Sequence, residues 1–258
     1  MVTMAEPTYL RYVALGDSFT EGVGDPDVSR PNGVRGWADR VAEALAAADP
    51  SFGYANLAIR GRKLPQIIGE QVPAALALQP DLITMTGGGN DVLRPGVDVD
   101  ALAASLDETV ATMVATGATV VLFTLPDSKS NQAFKVLRGR TALFNLFVRE
   151  IVDRHGAVLV DVWGNHDYDR HQFLDSDRLH LNANGHQSMA IQVLDTLGVP
   201  HALEQNPYTP RELTSREQRA EHVEWTRTFL LPWVGRRLTG RSSGDNISPK
   251  YPTPTPLG

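Results

Sequence analysis

The 258-residue chain contains no cysteine, which excludes disulfide bonds, thiolate catalysis and cysteine-ligated zinc. It also lacks an apolar run of about 18 residues, the length that a membrane-spanning helix requires. Met1–Pro7 is short and polar, whereas a signal peptide has a basic start followed by an apolar core. We therefore expect a cytoplasmic protein with neither a signal peptide nor a transmembrane segment.

Basic charge is also scarce. The formal net charge is −6, made up of −8 over residues 1–200 and +2 over residues 201–258. A nucleic-acid partner is not expected, because binding to phosphates requires concentrated Lys and Arg. The length allows one sizeable α/β domain with an appendage, or at most two small domains. The sequence does not indicate an oligomeric state.

Strand-like and helix-like segments alternate in the first 200 residues. Short apolar runs predict strands at Tyr9–Gly16, Tyr54–Ile59, Asp81–Thr86, Ala118–Thr124 and Ala157–Val162. Apolar residues that recur every three or four positions predict helices at Gly36–Ala48, Asp98–Thr116, Gly139–His155 and Asn182–Leu197. Such alternation predicts a parallel sheet covered by helices on both faces. Ligands bind these sheets at the carboxyl ends of the strands.

Residues 201–258 differ in composition from the rest of the chain. One or two helices are predicted at 211–238, where Trp225, Phe229 and Trp233 stand among arginines. Residues 241–258 are rich in Ser, Gly and Pro, which predicts a flexible tail or an extended wrap. We favour packing of the aromatic side chains on the core domain or on a second subunit. The alternative is a lid, or a basic amphipathic helix on a membrane surface.

A serine follows the first predicted strand, in Gly16-Asp17-Ser18. Serine attacks as a nucleophile only when a neighbouring base accepts its proton. His180 is the first candidate for that base, because the carboxylate of Asp177 precedes it by three residues and can bind its second ring nitrogen. The alternatives are a serine that caps a helix and a surface loop with a capping aspartate.

Three other histidines are weaker candidates. His186 falls in the first turn of the last predicted core helix. His166 and His171 lie in a polar loop before that helix and are candidates for lining the site.

Two residues after the next strands can stabilise a negatively charged oxygen. Asn90 follows Gly87-Gly88-Gly89 and carries a side-chain amide, and Gly61 can present a backbone N–H. The alternatives are ordinary turn glycines and an Asx turn. The glycine run can also approach a phosphate, but the chain has neither Gly-x-Gly-x-x-Gly after its first strand nor Gly-Lys-Ser/Thr.

Together these segments resemble the SGNH hydrolase family, also called GDSL esterases, over about residues 9–198. Phe19 stands where the family name has leucine. The resemblance implies a flavodoxin-like three-layer α/β/α fold with about five parallel strands, in a domain of residues 1–200, and leaves 201–258 as a C-terminal extension. The matching segments are Ala14–Gly22, Gly61, Gly88–Asp91 and Asp177–His180.

The resemblance also implies roles for these residues. Ser18 is the implied nucleophile, His180 the general base and then acid, and Asp177 the carboxylate that orients His180. The implied oxyanion hole consists of the backbone N–H groups of Ser18 and Gly61 and the side chain of Asn90. No metal and no organic cofactor are expected.

Four charged residues near these segments have implied or expected positions. Asp17 and Asp91 are implied to be structural, because they hydrogen-bond the loops that hold the nucleophile and the amide. Arg60 and Arg62 flank the implied oxyanion glycine, and we expect them to point to solvent rather than to select an anionic substrate.

The function implied by the resemblance is hydrolysis of a small-molecule carboxylic ester, with a short acyl group such as acetyl as the first choice. The alternatives are lysophospholipids, lipid esters or thioesters with longer chains. An alternative of another class is a non-catalytic ligand-binding module on the same fold. Candidate pocket walls are the loop Asp127–Arg138, with Phe134 and Leu137, and the side chains of Trp163, Asn165 and His166.

Overall fold

The computed structural model describes residues 8–129, 134–165, 171–207, 214–232, 235 and 242–257. Within these ranges a six-stranded sheet has the order β5-β4-β3-β1-β2-β6. The first five strands are parallel, and β6 runs antiparallel to β2. The strands are β1 (Arg11–Leu15), β2 (Gly53–Asn56), β3 (Leu82–Met85), β4 (Thr119–Phe123), β5 (Val158–Val160) and β6 (Tyr251–Thr255).

The helices connect and cover these strands. They are α1 (Ser18–Glu21), α2 (Trp37–Ala46), α3 (Leu64–Gln66), α4 (Val72–Ala77), α5 (Gly89–Val92), α6 (Val99–Val114), α7 (Arg138–His155), α8 (Ala183–Leu197) and α9 (Ser215–Trp225). Short 3-10 turns lie at Pro31–Gly33, Lys135–Leu137 and His171–Phe173, and π turns at Ile67–Gln71 and Thr226–Leu230. Among the described helices, none is long and apolar enough to cross a membrane.

Two apolar layers explain why the strands are apolar throughout. Tyr12 and Ala14 in β1 pack with α2 and α8 on one face. Val13 and Leu15 pack with α4, α6 and α7 on the other. All four side chains are buried, so each strand needs apolar residues at consecutive positions.

The strand order brings the loops after β1 and β3 together at the carboxyl edge of the sheet. Read from β2, the five parallel strands follow the order 2-1-3-4-5, which is that of flavodoxin. The order reverses between β1 and β3, and ligands bind in the crevice at such a switch point. The loops after β1 and β3 meet there. The predicted flavodoxin-like three-layer fold is therefore confirmed.

The end of the chain follows the second of the two predicted alternatives, an extended wrap rather than a flexible tail. Residues 251–255 form the sixth strand at the edge of the sheet. Tyr251 is buried with its ring 5.4 Å from that of Tyr54, and buried Lys250 forms an ion pair of 2.7 Å with Asp39. The prolines of this segment are tolerated because an edge strand needs hydrogen bonds on one side only.

Several predicted boundaries also move. The second strand ends at Asn56 rather than Ile59, because the Asn56 side chain accepts the N–H of Ala58 and turns the chain. The sequence pattern did not predict the helical stretch at 64–77, where Pro65 and Pro73 interrupt the periodicity.

In the C-terminal extension, α9 and its π turn confirm the predicted helix over 215–230. Trp233 lies outside the described residues.

Candidate active site

Ser18 is the first residue of α1, directly after β1. The side chain of Asp17 caps the helix by accepting the N–H of Phe19 at 3.1 Å. Gly16 has a φ of +150°, and a Cβ there would collide with the hydroxyl of Thr86. The buried side chain of Gln71 binds both backbone groups of Gly16, at 2.8 and 2.9 Å. These contacts fix the turn that presents the serine.

His180 connects Ser18 to Asp177. Its Nε2 atom lies 3.0 Å from Ser18 Oγ, and its Nδ1 atom lies 2.5 Å from Asp177 Oδ2. Asp177 Oδ1 accepts the backbone N–H groups of Leu179 and His180, both at 2.9 Å. Burial opposes ionisation of Asp177, but the hydrogen bond and charge of His180 outweigh it and lower the pKa of this carboxyl to about 2. The carboxylate is therefore charged and fixes the orientation of the ring.

Asn90 and Gly61 line the same pocket as Ser18 and His180. The side-chain amide of Asn90 donates to Asp17 Oδ2 at 2.9 Å and to the carbonyl of Arg62 at 3.0 Å. Burial raises the pKa of Asp17. The structure thus brings together Ser18, His180, Asp177, Gly61 and Asn90. The amide of Asn90 binds protein acceptors in this state.

Asp17 and Asp91 hold different parts of the site in place. Asp17 binds both the N-terminus of α1 and the amide of Asn90. Asp91 accepts the N–H of Leu64 at 2.9 Å and so ties α5 to the start of α3. Both side chains are buried, at 8% and 5% exposure.

The pocket has a volume of about 450 Å³. Phe134 and Leu137 belong to its wall, as predicted for the loop Asp127–Arg138. The extension contributes Ser242 and Ser243, which the sequence analysis did not place in the site because nothing in the sequence links them to Ser18. The apolar lining consists of Phe19, Val23, Val92, Leu93, Phe123, Leu125, Pro126, Phe134, Leu137, Val162, Leu179 and Leu181.

The arginines beside Gly61 do not point to solvent, contrary to expectation. Arg60 binds the fully buried carboxylate of Glu21 at 2.6 Å. Arg62 forms an ion pair with Glu70 at 3.0 Å. A buried carboxylate requires a partner charge, which explains the position of Arg60.

His186 is fully buried and binds backbone groups rather than Ser18. Its Nδ1 atom accepts the N–H of Trp37 at 3.1 Å, so its Nε2 atom carries the proton and donates to the carbonyl of Val23 at 3.2 Å. Burial lowers the pKa of His186 to about 4. The ring is neutral and joins α8 to the loop after α1.

Other candidates have different partners or fall outside the description. Trp163 lies under the guanidinium of Arg138, 5.5 Å from its ring centre, and Asn165 donates to Gln192. His166 and the side chain of His171 lie outside the described residues.

Packing against α7 accounts for the glycine at position 88. A Cβ there would stand 2.6 Å from the ring of Phe144.

Comparisons with known proteins identify the family of the chain. The model of the GDSL-like lipase/acylhydrolase family matches residues 14–188, and the chain belongs to this family. A search of curated proteins found no match.

Solved structures of enzymes have the same fold. LAE5, an alpha/beta hydrolase enzyme from the metagenome of Lake Arreo, Spain, is 27% identical with a TM-score of 0.62, covering 73% of this chain and 94% of that one. A catalytic mutant of Axe2, an acetylxylan esterase from Geobacillus stearothermophilus, is 20% identical with a TM-score of 0.62, covering 74% and 94%. The acetyl xylan esterase AlAXEase is 20% identical with a TM-score of 0.58, covering 72% and 98%. Family and fold together support a hydrolase of the esterase kind.

Proposed function

We propose that this protein is a serine esterase that hydrolyses carboxylic esters through an acyl-enzyme on Ser18. The observation that carries the proposal is the hydrogen-bonded chain from Ser18 Oγ to His180 Nε2 at 3.0 Å and from His180 Nδ1 to Asp177 Oδ2 at 2.5 Å. A serine hydroxyl needs an adjacent base to become a nucleophile, and that base needs a partner to fix its tautomer. Both requirements are met.

The reaction follows from these contacts. With Nδ1–H bound to Asp177, the Nε2 atom of His180 accepts the proton of Ser18 while Oγ forms a bond to the ester carbon. The imidazolium, stabilised by the charged carboxylate, then returns the proton to the leaving alcohol as the C–O bond breaks. Water repeats the sequence on the acyl-enzyme, which releases the carboxylic acid and restores Ser18.

Three N–H groups are the proposed donors to the oxyanion. The backbone N–H of Ser18 stands at the first position of α1, where an N–H has no partner within its helix. Gly61 and Asn90, which supply the other two donors, line the same pocket as Ser18. Because the amide of Asn90 binds Asp17 and Arg62, it must share one of these N–H groups when the oxyanion forms.

A short acyl group such as acetyl is the first proposed substrate feature. Axe2 and AlAXEase, whose folds are similar, are described as acetylxylan esterases. The pocket supplies a second candidate, a longer acyl chain. Its volume of about 450 Å³ lies in the range of roughly 300–1,000 Å³ that holds drug-sized ligands, and Phe134 and Leu137 give it apolar walls.

Hydrolysis of p-nitrophenyl acetate by the wild-type protein and by Ser18→Ala tests the proposal. Removal of the nucleophile should lower kcat by at least about 1,000-fold. The matched control is Ser105→Ala, which removes an exposed hydroxyl of α6 that donates to the carbonyl of Ala101. Wild-type turnover by the Ser18→Ala variant would refute the acyl-enzyme, and absence of turnover by the wild type would favour a binding module.

A further inference from the structure

The family match ends at residue 188, yet the chain beyond residue 200 contacts the site at several points. Trp225 contacts the backbone of Asp177. Ser242 and Ser243 line the pocket. Lys250 donates to the carbonyl of Glu21, at the end of the helix that begins with the nucleophile.

Trp225 has the most direct of these contacts. Its indole N–H donates to the carbonyl oxygen of Asp177 at 2.7 Å, and only 6% of the residue is exposed. The guanidinium of Arg178 lies 5.2 Å from its ring centre, and the ring of His222 stacks on it at 5.7 Å. The last residue of α9 is thus held against the loop that carries the candidate base.

The hydrogen bond from Trp225 to Asp177 bears on how His180 is aligned with Ser18. Arg178 has a φ of +58°, a left-handed conformation that costs free energy outside glycine and needs support from neighbours. The hydrogen bond to the Asp177 carbonyl and the packing of Arg178 supply that support on both sides of one peptide unit. A displacement of reacting groups by about 1 Å can cost about 100-fold in rate.

A second contact joins the extension to the loop of Gly61. A Cβ at Gly61 would collide with Ser242 Oγ, and a Cβ at Gly244 would collide with the carbonyl of Arg60. Each of the two segments lacks a side chain where the other approaches. The turn at 242–245, closed by a 2.9 Å bond from Ser242 N–H to Asp245, therefore packs directly on the loop that presents the proposed oxyanion donor.

We infer that the C-terminal extension is part of the catalytic unit, and that Trp225 is a positioning residue that holds Asp177 and His180 in line with Ser18. The inference rests on the proposed function. It assigns to Trp225 an effect on the rate of acyl transfer that goes beyond any effect on folding.

Trp225→Phe tests the inference, because phenylalanine keeps an aromatic ring in the pocket of Arg178 and His222 but cannot donate to Asp177. The amount of competent enzyme is first measured by titrating Ser18 with an organophosphonate, and kcat and KM for p-nitrophenyl acetate are then expressed per titrated serine. We expect kcat to fall between about 10- and 100-fold with KM nearly unchanged. The second-order rate of Ser18 labelling should fall with it.

Val223→Ala is the matched control, because this valine is in the same helix and is 57% exposed. It should leave kcat per titrated serine unchanged. If Trp225 only stabilises the fold, Trp225→Phe lowers the titrated fraction and the melting temperature but keeps the wild-type kcat per titrated serine, and that result overturns the inference. Failure of the proposed function would look different, since the wild type itself would then neither turn over nor label.

Discussion

Gly24 lies against the backbone carbonyl of Leu181, the residue that follows the candidate base. A Cβ at position 24 would collide with that oxygen and come within 3.3 Å of the Cβ of His180. The loop after α1 and the loop that carries His180 can therefore approach one another only because residue 24 has no side chain. The contact joins the segment that follows the helix of Ser18 to the segment of His180.

Gly24→Ala should weaken the hydrogen bond between Ser18 and His180. The new methyl group displaces the backbone of His180 and Leu181, which lengthens the 3.0 Å contact with Ser18, so we expect kcat to fall by at least about tenfold. Gly33→Ala is the control, since Gly33 also has a positive φ, +70°, but a Cβ there meets nothing within 4 Å. A Gly24→Ala variant that keeps the kcat of the wild type and of Gly33→Ala would contradict this prediction.

Asn90→Ala should reduce kcat by about 100-fold or more, the usual loss when one oxyanion donor is removed. The substitution also removes one of the two hydrogen bonds described for the buried Asp17 carboxylate, which should lower the free energy of unfolding by about 1–3 kcal/mol. Steady-state kinetics and urea denaturation measure the two effects. If the variant turns over nearly as fast as the wild type, Asn90 is not an oxyanion donor. Its role is then the structural one of binding Asp17.

Stability should fall as the pH decreases from 6.5 towards 4. The pKa of His186 falls from 6.5 to about 4 on folding because the ring is buried, so the unfolded chain binds a proton in this window that the folded protein does not. Each pH unit then removes about 1.4 kcal/mol from the free energy of unfolding. Asp177, with a folded pKa of about 2, loses its contribution only below about 3.8, so the two windows are separate.

Urea denaturation of wild type and His186→Gln at pH 7 and pH 5 measures this effect. Glutamine does not titrate, so the difference between the two pH values should be smaller in the variant. The same difference in both proteins would assign the pH dependence to other groups.

Acyl-chain length separates the two substrate candidates. With p-nitrophenyl esters, a short-chain esterase should show kcat/KM values that are highest for acetate or butyrate and fall for longer chains. A rise from acetate to decanoate would contradict this and favour the second candidate, in which the apolar wall around Phe134 and Leu137 binds the chain.

The core fold was predictable from local pattern. The five parallel strands are apolar on both faces and the helices between them are periodic, so few alternatives to a covered parallel sheet existed. The candidate site was predictable for a related reason, because Ser18, Gly61 and Asn90 each follow a strand, and the carboxyl ends of parallel strands meet at one edge.

The features that were missed depend on contacts distant in sequence. The partner of Arg60 is Glu21, at the end of α1. Nothing in the neighbouring sequence indicates that this carboxylate is completely buried. The tail becomes a strand through Lys250 and Tyr251, which bind Asp39 and Tyr54 about 200 residues earlier. Trp225 donates to a backbone carbonyl. Every residue has such a carbonyl, so the sequence does not indicate which one a tryptophan will bind.

Labelling with an organophosphonate tests the central claim most directly, because the reagent reacts only with a serine that a neighbouring base activates. Digestion and mass spectrometry of the labelled protein should place a single adduct on the peptide that contains Ser18, and His180→Ala should lose it while remaining folded by circular dichroism. A folded wild-type protein without an adduct at Ser18, or equal labelling of His180→Ala, would contradict the account.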